Sequence, residues 1–551
     1  MAPEYKPVLF NSYEFIFIFL PISLVVYSFL SRFDTRQHSL LFLAVASLFF
    51  YGWWHPGYLI LLGMSLLVNF SFGKILQNES GTKANRLIVV VSGVMLNLLL
   101  LGYYKYGGFI VEIYNDINDT NAVWEHVILP LAISFFTFQQ ITYLIDSYAG
   151  KVEHTNFIEY VVFVTFFPQL IAGPIVHHKE MMPQFRNISL KVNRENIEIG
   201  ITLFAIGLFK KTMLADSIAD YVTPIYDEAA LGQITFLQAW IASLGFTLQI
   251  YFDFSGYSDM ALGAARMFGI ILPANFNSPL KASSIIDFWS RWHITLTRFL
   301  TAYIYNPMAL QATRKAIQGR YRLSTKGRLV ELTTTLAIPT LITMFLSGLW
   351  HGAGYQFLIW GGLHGLFLVI NHAWRHYVVS SISDRTHYDQ WARPLGLILT
   401  LCCVCLAMVF FRANNAAIGY DMALAMLGFN GLSIPEGIMV HLGPLVNWLA
   451  IIGITADTTA GSAITYGVLY CGALLTLALM MPNSLDIMRV HQPVLEKINN
   501  IDNNKGLFFN NLFMHNLAWS TNRKWALLVG LATAFSIMSM QGLSVFLYWQ
   551  F

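Results

Sequence analysis

The sequence predicts an all-α, polytopic integral membrane protein, and three observations carry that prediction. Of 551 residues, 56% are hydrophobic and only 11% are charged, against roughly 25% charged in a soluble chain. Half the usual charge density cannot cover a water-soluble protein of this size, which argues against a cytosolic enzyme and a disordered chain. Apolar runs long enough to cross a bilayer, roughly 17–25 residues each, recur along the sequence. The net charge of +3 is too small to point to a nucleic acid or another polyanion.

About twelve spans are expected, at 14–30, 39–54, 57–73, 87–104, 126–145, 195–213, 233–252, 330–349, 357–373, 394–411, 461–481 and 525–548. The first is read as a retained span rather than a signal peptide: only Lys6 precedes it and no small-residue cleavage site follows. Lysine and arginine placement orients the bundle. Segments 31–38, 74–86, 177–194 and 281–328 are basic, the last with nine Lys/Arg and one acid, Asp287. Segments 105–125, 214–232 and 412–444 are poor in basic residues. Putting the basic segments in the cytoplasm leaves both termini outside.

That parity requires two further apolar stretches not to cross. Pro168, Gly173 and Pro174 interrupt 157–176, and 253–272 carries Asp253, Asp259 and Arg266. Irregular or charged backbone at membrane depth persists only when buried in protein or facing a water-filled cavity. Both are therefore expected to be re-entrant, lining a cavity; the alternative is two ordinary spans. Cys402, Cys403, Cys405 and Cys471 all lie in apolar runs without a ligand pattern and read as small hydrophobes.

The chemistry-bearing candidates are histidines in unusual surroundings. His293 sits in DFWSRWHITLTRFL (287–300). Asp287 and Arg291 are four apart and can pair on one helical face. Trp289 and Trp292, with Phe288 and Phe299, suit an amphipathic helix at the membrane interface, which leaves a surface histidine as the plain reading. His351 sits in FLSGLWHGAGYQFLIWGGLHG (345–365), beside Trp350 and among Gly348, Gly352 and Gly354. Glycines permit close approach of a backbone or ligand. A neutral imidazole there can take a proton from a hydroxyl or serve as a structural hydrogen-bonding group.

Weaker candidates are His372 and His376, spaced for a metal but placed at a helix end expected on the cytoplasmic side, where cationic side chains suit the dipole, and His177 and His178, in a basic loop where solvent exposure is the default. Ser255 lies near Asp253 and Asp259, but no G-x-S-x-G elbow surrounds it. No Walker A loop, dinucleotide fingerprint or zinc-protease motif occurs.

Six stretches in order resemble the membrane-bound O-acyltransferase (MBOAT) family, nearest its AlgI-like alginate O-acetyltransferase branch, with the D-alanyl transfer protein DltB as a cousin. They are YYKYGGFI (103–110), PLAISFFTFQQITYLIDSY (130–148), FFPQLIAGPIVHHKEMMPQF (166–185), FDFSGYSDMALGAARMFGI (252–270), NFNSPLKASSIIDFWSRWHITLTRFL (275–300) and 345–365. The resemblance implies an MBOAT-like fold with a central funnel, N-terminal helices over 1–100, a catalytic core over 101–375 and C-terminal helices over 376–551. It makes His351 the catalytic histidine and His293 its second. One departure stands out: where the family pattern carries Arg–Asp after the first histidine, this sequence has Thr301 and Ala302, in a region expected to meet the donor or a partner at the cytoplasmic side.

The expected reaction moves a small acyl group, most simply acetyl, from a cytoplasmic thioester (acetyl-CoA or an acyl carrier) to a cell-surface polysaccharide from the bacterial inner membrane. Transfer is direct or through an extracytoplasmic SGNH partner of the AlgJ or AlgX kind. His351 is the expected general base. His293 orients the donor carbonyl or stabilises its oxyanion, Trp350 shapes the site, and Asp287 and Arg291 hold the His293 helix. Trp289, Trp292, Asp253, Ser255 and Asp259 complete the expected substrate-binding set. No bound cofactor, no metal and no nucleic acid are expected. D-alanyl transfer to teichoic acid and non-catalytic transport of donor or glycan remain the rivals.

Overall fold

The computed structural model describes residues 9–547 except 34–35, 79–81, 126, 154, 187–192, 233, 319–329, 444, 452–453, 458–460, 497–516 and 541–545. Among these, six helices are long and apolar enough to cross a membrane: Gly57–Gln77, Lys83–Asn118, Val330–His351, Tyr355–Ser381, Thr386–Arg412 and Ile464–His491. Their outward faces are apolar, as Ile60, Ile88, Leu99, Leu395, Leu399 and Leu469 illustrate. A bare apolar coat is unstable in water and suits lipid. With the family established below, this is a multi-pass membrane protein.

The other expected spans fall on Glu14–Leu30 and Arg36–Trp54, on the shorter Ile133–Tyr148, Arg194–Phe209 and Arg523–Met538, and on the long helix Phe236–Met267. Ile133–Tyr148 is too short to span in isolation and is buried along nearly its whole length.

The central helix, Phe236–Met267, corrects the expected re-entrant stretch at 253–272. The chain does not turn at residue 253; 32 residues run as one helix, and every residue from Gly245 to Ala265 is buried. The carboxylates do not break it because each finds a cation inside the protein. Lys211 Nζ donates to Asp253 Oδ1 at 2.6 Å and Lys210 Nζ to Asp259 Oδ2 at 2.7 Å. Glycines let the neighbouring helix Arg194–Phe209 come close enough for this. A Cβ on Gly207 would lie 2.4 Å from the Gly256 carbonyl oxygen, and one on Gly263 would lie 2.5 Å from that of Gly200. Small residues at such crossings are how membrane helices gain packing without a hydrophobic drive.

The other interrupted stretch is broken as its prolines and glycines suggest. Phe157–Thr165 ends at Phe166, one turn follows over Phe167–Leu170, and irregular backbone leads into His178–Arg186. Residues 159–178 are buried throughout, so this backbone meets protein and not lipid.

The all-α expectation needs a small correction: Leu432–Pro435 and Ile454–Asp457 pair as a two-stranded parallel ladder. All four cysteines are free thiols, Cys405 and Cys471 buried.

Candidate active site

His351 ends the helix Ile338–His351, which turns back at once into Tyr355–Tyr377. The two pack backbone to backbone: a Cβ on Gly348 would lie 2.1 Å from the Phe357 carbonyl oxygen. The last turn of a helix leaves carbonyls without partners. Here Lys105 Nζ donates to the carbonyl of Trp350 and, at 3.3 Å, to that of His351, and Tyr106 OH donates to that of Leu349 at 2.9 Å. A cation at a helix C-terminus is also favoured by the dipole. Both residues belong to the YYKYGGFI stretch, to which sequence reasoning assigned no role.

His293 corrects the amphipathic-helix expectation. The stretch 287–300 is not one interfacial helix. Ile285–Trp289 stops, and Ile294–Leu300 begins after His293, whose φ is +43°. A non-glycine residue in that region is strained and must be held. The Ile294 amide donates to the Asn275 carbonyl at 2.9 Å, and the His293 carbonyl accepts from Thr297 N at 3.0 Å. The kink turns the ring inward, where it is fully buried between Phe254 and Phe276. Burial pushes its pKa down to about 3, so the ring is neutral at physiological pH.

The two histidines meet. Their ring centroids are 6.3 Å apart, with Trp350 against both at 5.9 and 4.9 Å. Phe138 stacks on Trp350 and on Phe299, which fixes the indole. Trp289 lies one layer away. Its Nε1 donates to Nδ1 of the fully buried His364 at 3.3 Å, and Trp360 stands between His364 and His351 at 4.8 and 4.9 Å. His364 was missed; the signal was a third histidine on an apolar helix, in the LHG that closes the 345–365 stretch.

The remaining expected residues divide. Arg291 Nε donates to Asp287 Oδ1 at 2.8 Å, as the four-residue spacing suggested. Trp292 stacks on Phe288. Asp253 and Asp259 do not join the histidines: they hold Lys211 and Lys210, and Asp259 also accepts from Ser484 Oγ at 2.8 Å. Ser255 Oγ is buried with no hydrogen-bond partner among the described residues, so no base activates it. Ser255, Ser258, Asp259, Lys210 and Asn275 line a polar cavity of about 10 Å³, room for about one water.

A second cavity, about 520 Å³, is lined by Trp289 and by Ile294, the residue after His293. Lys151, Lys179, Arg298 and Asp146 line it, and Thr301 and Ala302 form part of its wall; Arg298 is paired with Glu180 and, at 2.7 Å, with Glu496. His177 and His178 also line it, which corrects the expectation of solvated surface. Both are buried, His178 Nε2 lying 3.0 Å from Thr155 Oγ1, because they continue the buried irregular segment. Among the described residues no cluster of three His, Cys, Asp or Glu side chains suits a metal ion.

Residues 114–322 match the model of the MBOAT, membrane-bound O-acyltransferase family. Over 454 residues the chain is 39% identical to a peptidoglycan O-acetyltransferase of Helicobacter pylori, covering 77% of this chain and 81% of the relative. The chain belongs to the membrane-bound O-acyltransferase family. It is also 35% identical to a probable alginate O-acetylase AlgI of Pseudomonas aeruginosa, over 78% of this chain and 76% of the relative. A teichoic acid D-alanyltransferase of Streptococcus thermophilus is 26% identical over 55% of this chain and 72% of the relative. As an MBOAT protein the chain is an O-acyltransferase. The family match encloses His293, and His351 lies beyond it, within the helical hairpin that brings it back to His293.

Proposed function

We propose that this MBOAT protein transfers an acetyl group from a cytoplasmic thioester to a hydroxyl of a cell-surface polysaccharide. In this reading it works from the bacterial inner membrane, directly or through an extracytoplasmic SGNH-type partner. The observation that carries the reading is the meeting of two buried histidines from distant parts of the chain, 6.3 Å between ring centroids. A cavity lined by Trp289 and by Ile294, the residue after His293, carries Lys151 and Lys179 on its wall. These two ammonium groups suit the phosphates of acetyl-CoA or of a carrier's pantetheine arm, while Arg298 beside them is held by Glu180 and Glu496.

In the reaction, the acceptor oxygen attacks the thioester carbonyl carbon while His351 takes the hydroxyl proton. The C–S bond then breaks, and the thiolate recovers that proton. The products are an ester and a thiol. General-base assistance is worth about 10²–10⁴ in rate, and holding donor and acceptor together supplies more. Trp350 and its aromatic neighbours exclude water from the acyl group.

The test is acetylation of surface polysaccharide in cells carrying His351→Ala, with membrane insertion confirmed. Acetylation at the wild-type level sinks the assignment. Incubating the purified protein with radiolabelled acetyl-CoA and a hydroxyl acceptor separates transfer from transport. Labelled D-alanine in the product instead of acetyl would select the D-alanyl rival.

A further inference from the structure

We infer that Asn275 is a positioning residue that fixes the tautomer of His293, so that His293 Nε2 meets the reacting groups as a hydrogen-bond acceptor. The inference rests on the acyltransfer reading for its catalytic meaning, but its geometry stands alone.

Asn275 is buried, in the segment between the central helix and the His293 kink. Its Oδ1 is 3.0 Å from His293 Nδ1 and accepts from Thr295 Oγ1 at 2.9 Å, and its Nδ2 donates to Ser258 Oγ at 3.3 Å. The orientation of an amide must be argued from its neighbours. Thr295 Oγ1 accepts the Ile175 amide at 3.1 Å, and its one hydrogen is given to Asn275 Oδ1. In this arrangement the amide oxygen faces both Thr295 and His293 while Nδ2 has Ser258 Oγ as its acceptor, so each polar group of the cluster is paired. An amide oxygen only accepts, so Nδ1 of His293 carries the hydrogen. In a neutral imidazole the lone pair then sits on Nε2.

This revises the role read from the sequence. A neutral His293 with its hydrogen on Nδ1 cannot donate from Nε2 to a thioester carbonyl or its oxyanion. It accepts a hydrogen bond, from the acceptor hydroxyl or from the histidine beside it. Of its ring neighbours, His351 is titratable, while Phe254, Phe276 and Trp350 carry no charge. The same residue ties the backbone: the Asn275 main-chain carbonyl accepts from Ile294 N, so one residue sets both the kink and the proton.

Two measurements on the full-length protein in nanodiscs test this. Ring-¹⁵N-labelled histidine, with His293→Gln to assign the signal, reports which nitrogen is protonated. The expected result is Nδ1–H; a proton on Nε2 in the wild type overturns the inference, whatever the activity. Transfer from radiolabelled acetyl-CoA is then compared across variants. Asn275→Leu is expected to lose about 10²-fold or more in turnover, the scale of a forfeited general-base contribution. Asn275→Asp keeps an acceptor and is expected to regain most of the rate. Its carboxylate stabilises the imidazolium and raises the His293 pKa, so the acid limb of its pH profile moves to higher pH. Full activity in Asn275→Leu, or no recovery in Asn275→Asp, counts against the inference. If the wild type transfers no acyl group but shows Nδ1–H, the functional reading fails and the positioning stands.

Discussion

Lys105 caps the end of the helix Ile338–His351, and its ammonium donates to the backbone carbonyls of both Trp350 and His351. The contact holds the last turn of that helix from below. A histidine at a frayed helix end would sample many directions; a capped one keeps its angle to His293.

Lys105→Met is therefore expected to lower the rate of acyl transfer at least about tenfold while the protein still inserts. Interactions of a cation with a helix C-terminus are worth roughly 0.3–2 kcal/mol, too little to unfold the bundle. The measurement is transfer rate per mole of inserted protein. A wild-type rate removes Lys105 from the site.

Breaking the buried Lys211–Asp253 pair has a different signature. Asp253→Asn leaves the almost fully enclosed Lys211 ammonium with Asp216 alone, 2.8 Å away, at a cost of up to about 3 kcal/mol, the lower bound for a buried charge stripped of its partner. The thermal midpoint in detergent should fall sharply. Replacing both partners together, Lys211→Met with Asp253→Leu, should restore much of the loss. Equal midpoints for the single and double variants would show that the pair is not coupled.

Gly348 and Gly362 lie on facing helices of one hairpin and give opposite expectations. Gly348→Ala forces a methyl group against the Phe357 carbonyl and should cost about 1–3 kcal/mol as an overpacked contact, with activity falling as His351 shifts. Gly362 has open space about its missing side chain, so Gly362→Ala should be neutral. The yield of folded protein on size exclusion and transfer activity check both.

Thr301 and Ala302 line the 520 Å³ cavity. Thr301→Arg with Ala302→Asp restores the family's residues there. If the cavity takes the donor, KM for donor should change more than threefold with little change in kcat. Unchanged KM and unchanged partner binding would exclude this wall from recognition.

Much of this was legible in the sequence because hydropathy and the spacing of charge are local signals. The Asp287–Arg291 pair followed from helical geometry. The break at Pro168 and Gly173 followed from backbone chemistry. The quoted stretches named both histidines. What was not legible depends on contacts distant in the chain. Asp253 and Asp259 looked too polar for a continuous helix because Lys210 and Lys211, more than forty residues earlier, were not recognised as their partners. His293 looked like a surface residue on an amphipathic helix because nothing local announces a left-handed kink. Lys105, His364 and Asn275 stood inside quoted stretches, yet their roles exist only where separate helices converge.

The two lysine–aspartate pairs also bear on how the protein is made. An unpaired aspartate near the centre of a membrane helix costs about 2.5–3.5 kcal/mol on insertion, and the central helix carries two. It cannot rest stably in lipid alone and then wait for its neighbour. Lys210 and Lys211, in the helical turn Lys210–Ala215 that continues Arg194–Phe209, precede the aspartates in the chain and so are already made when Phe236–Met267 follows. Charge pairing thus ties the stability of the central helix in the bilayer to the helix before it.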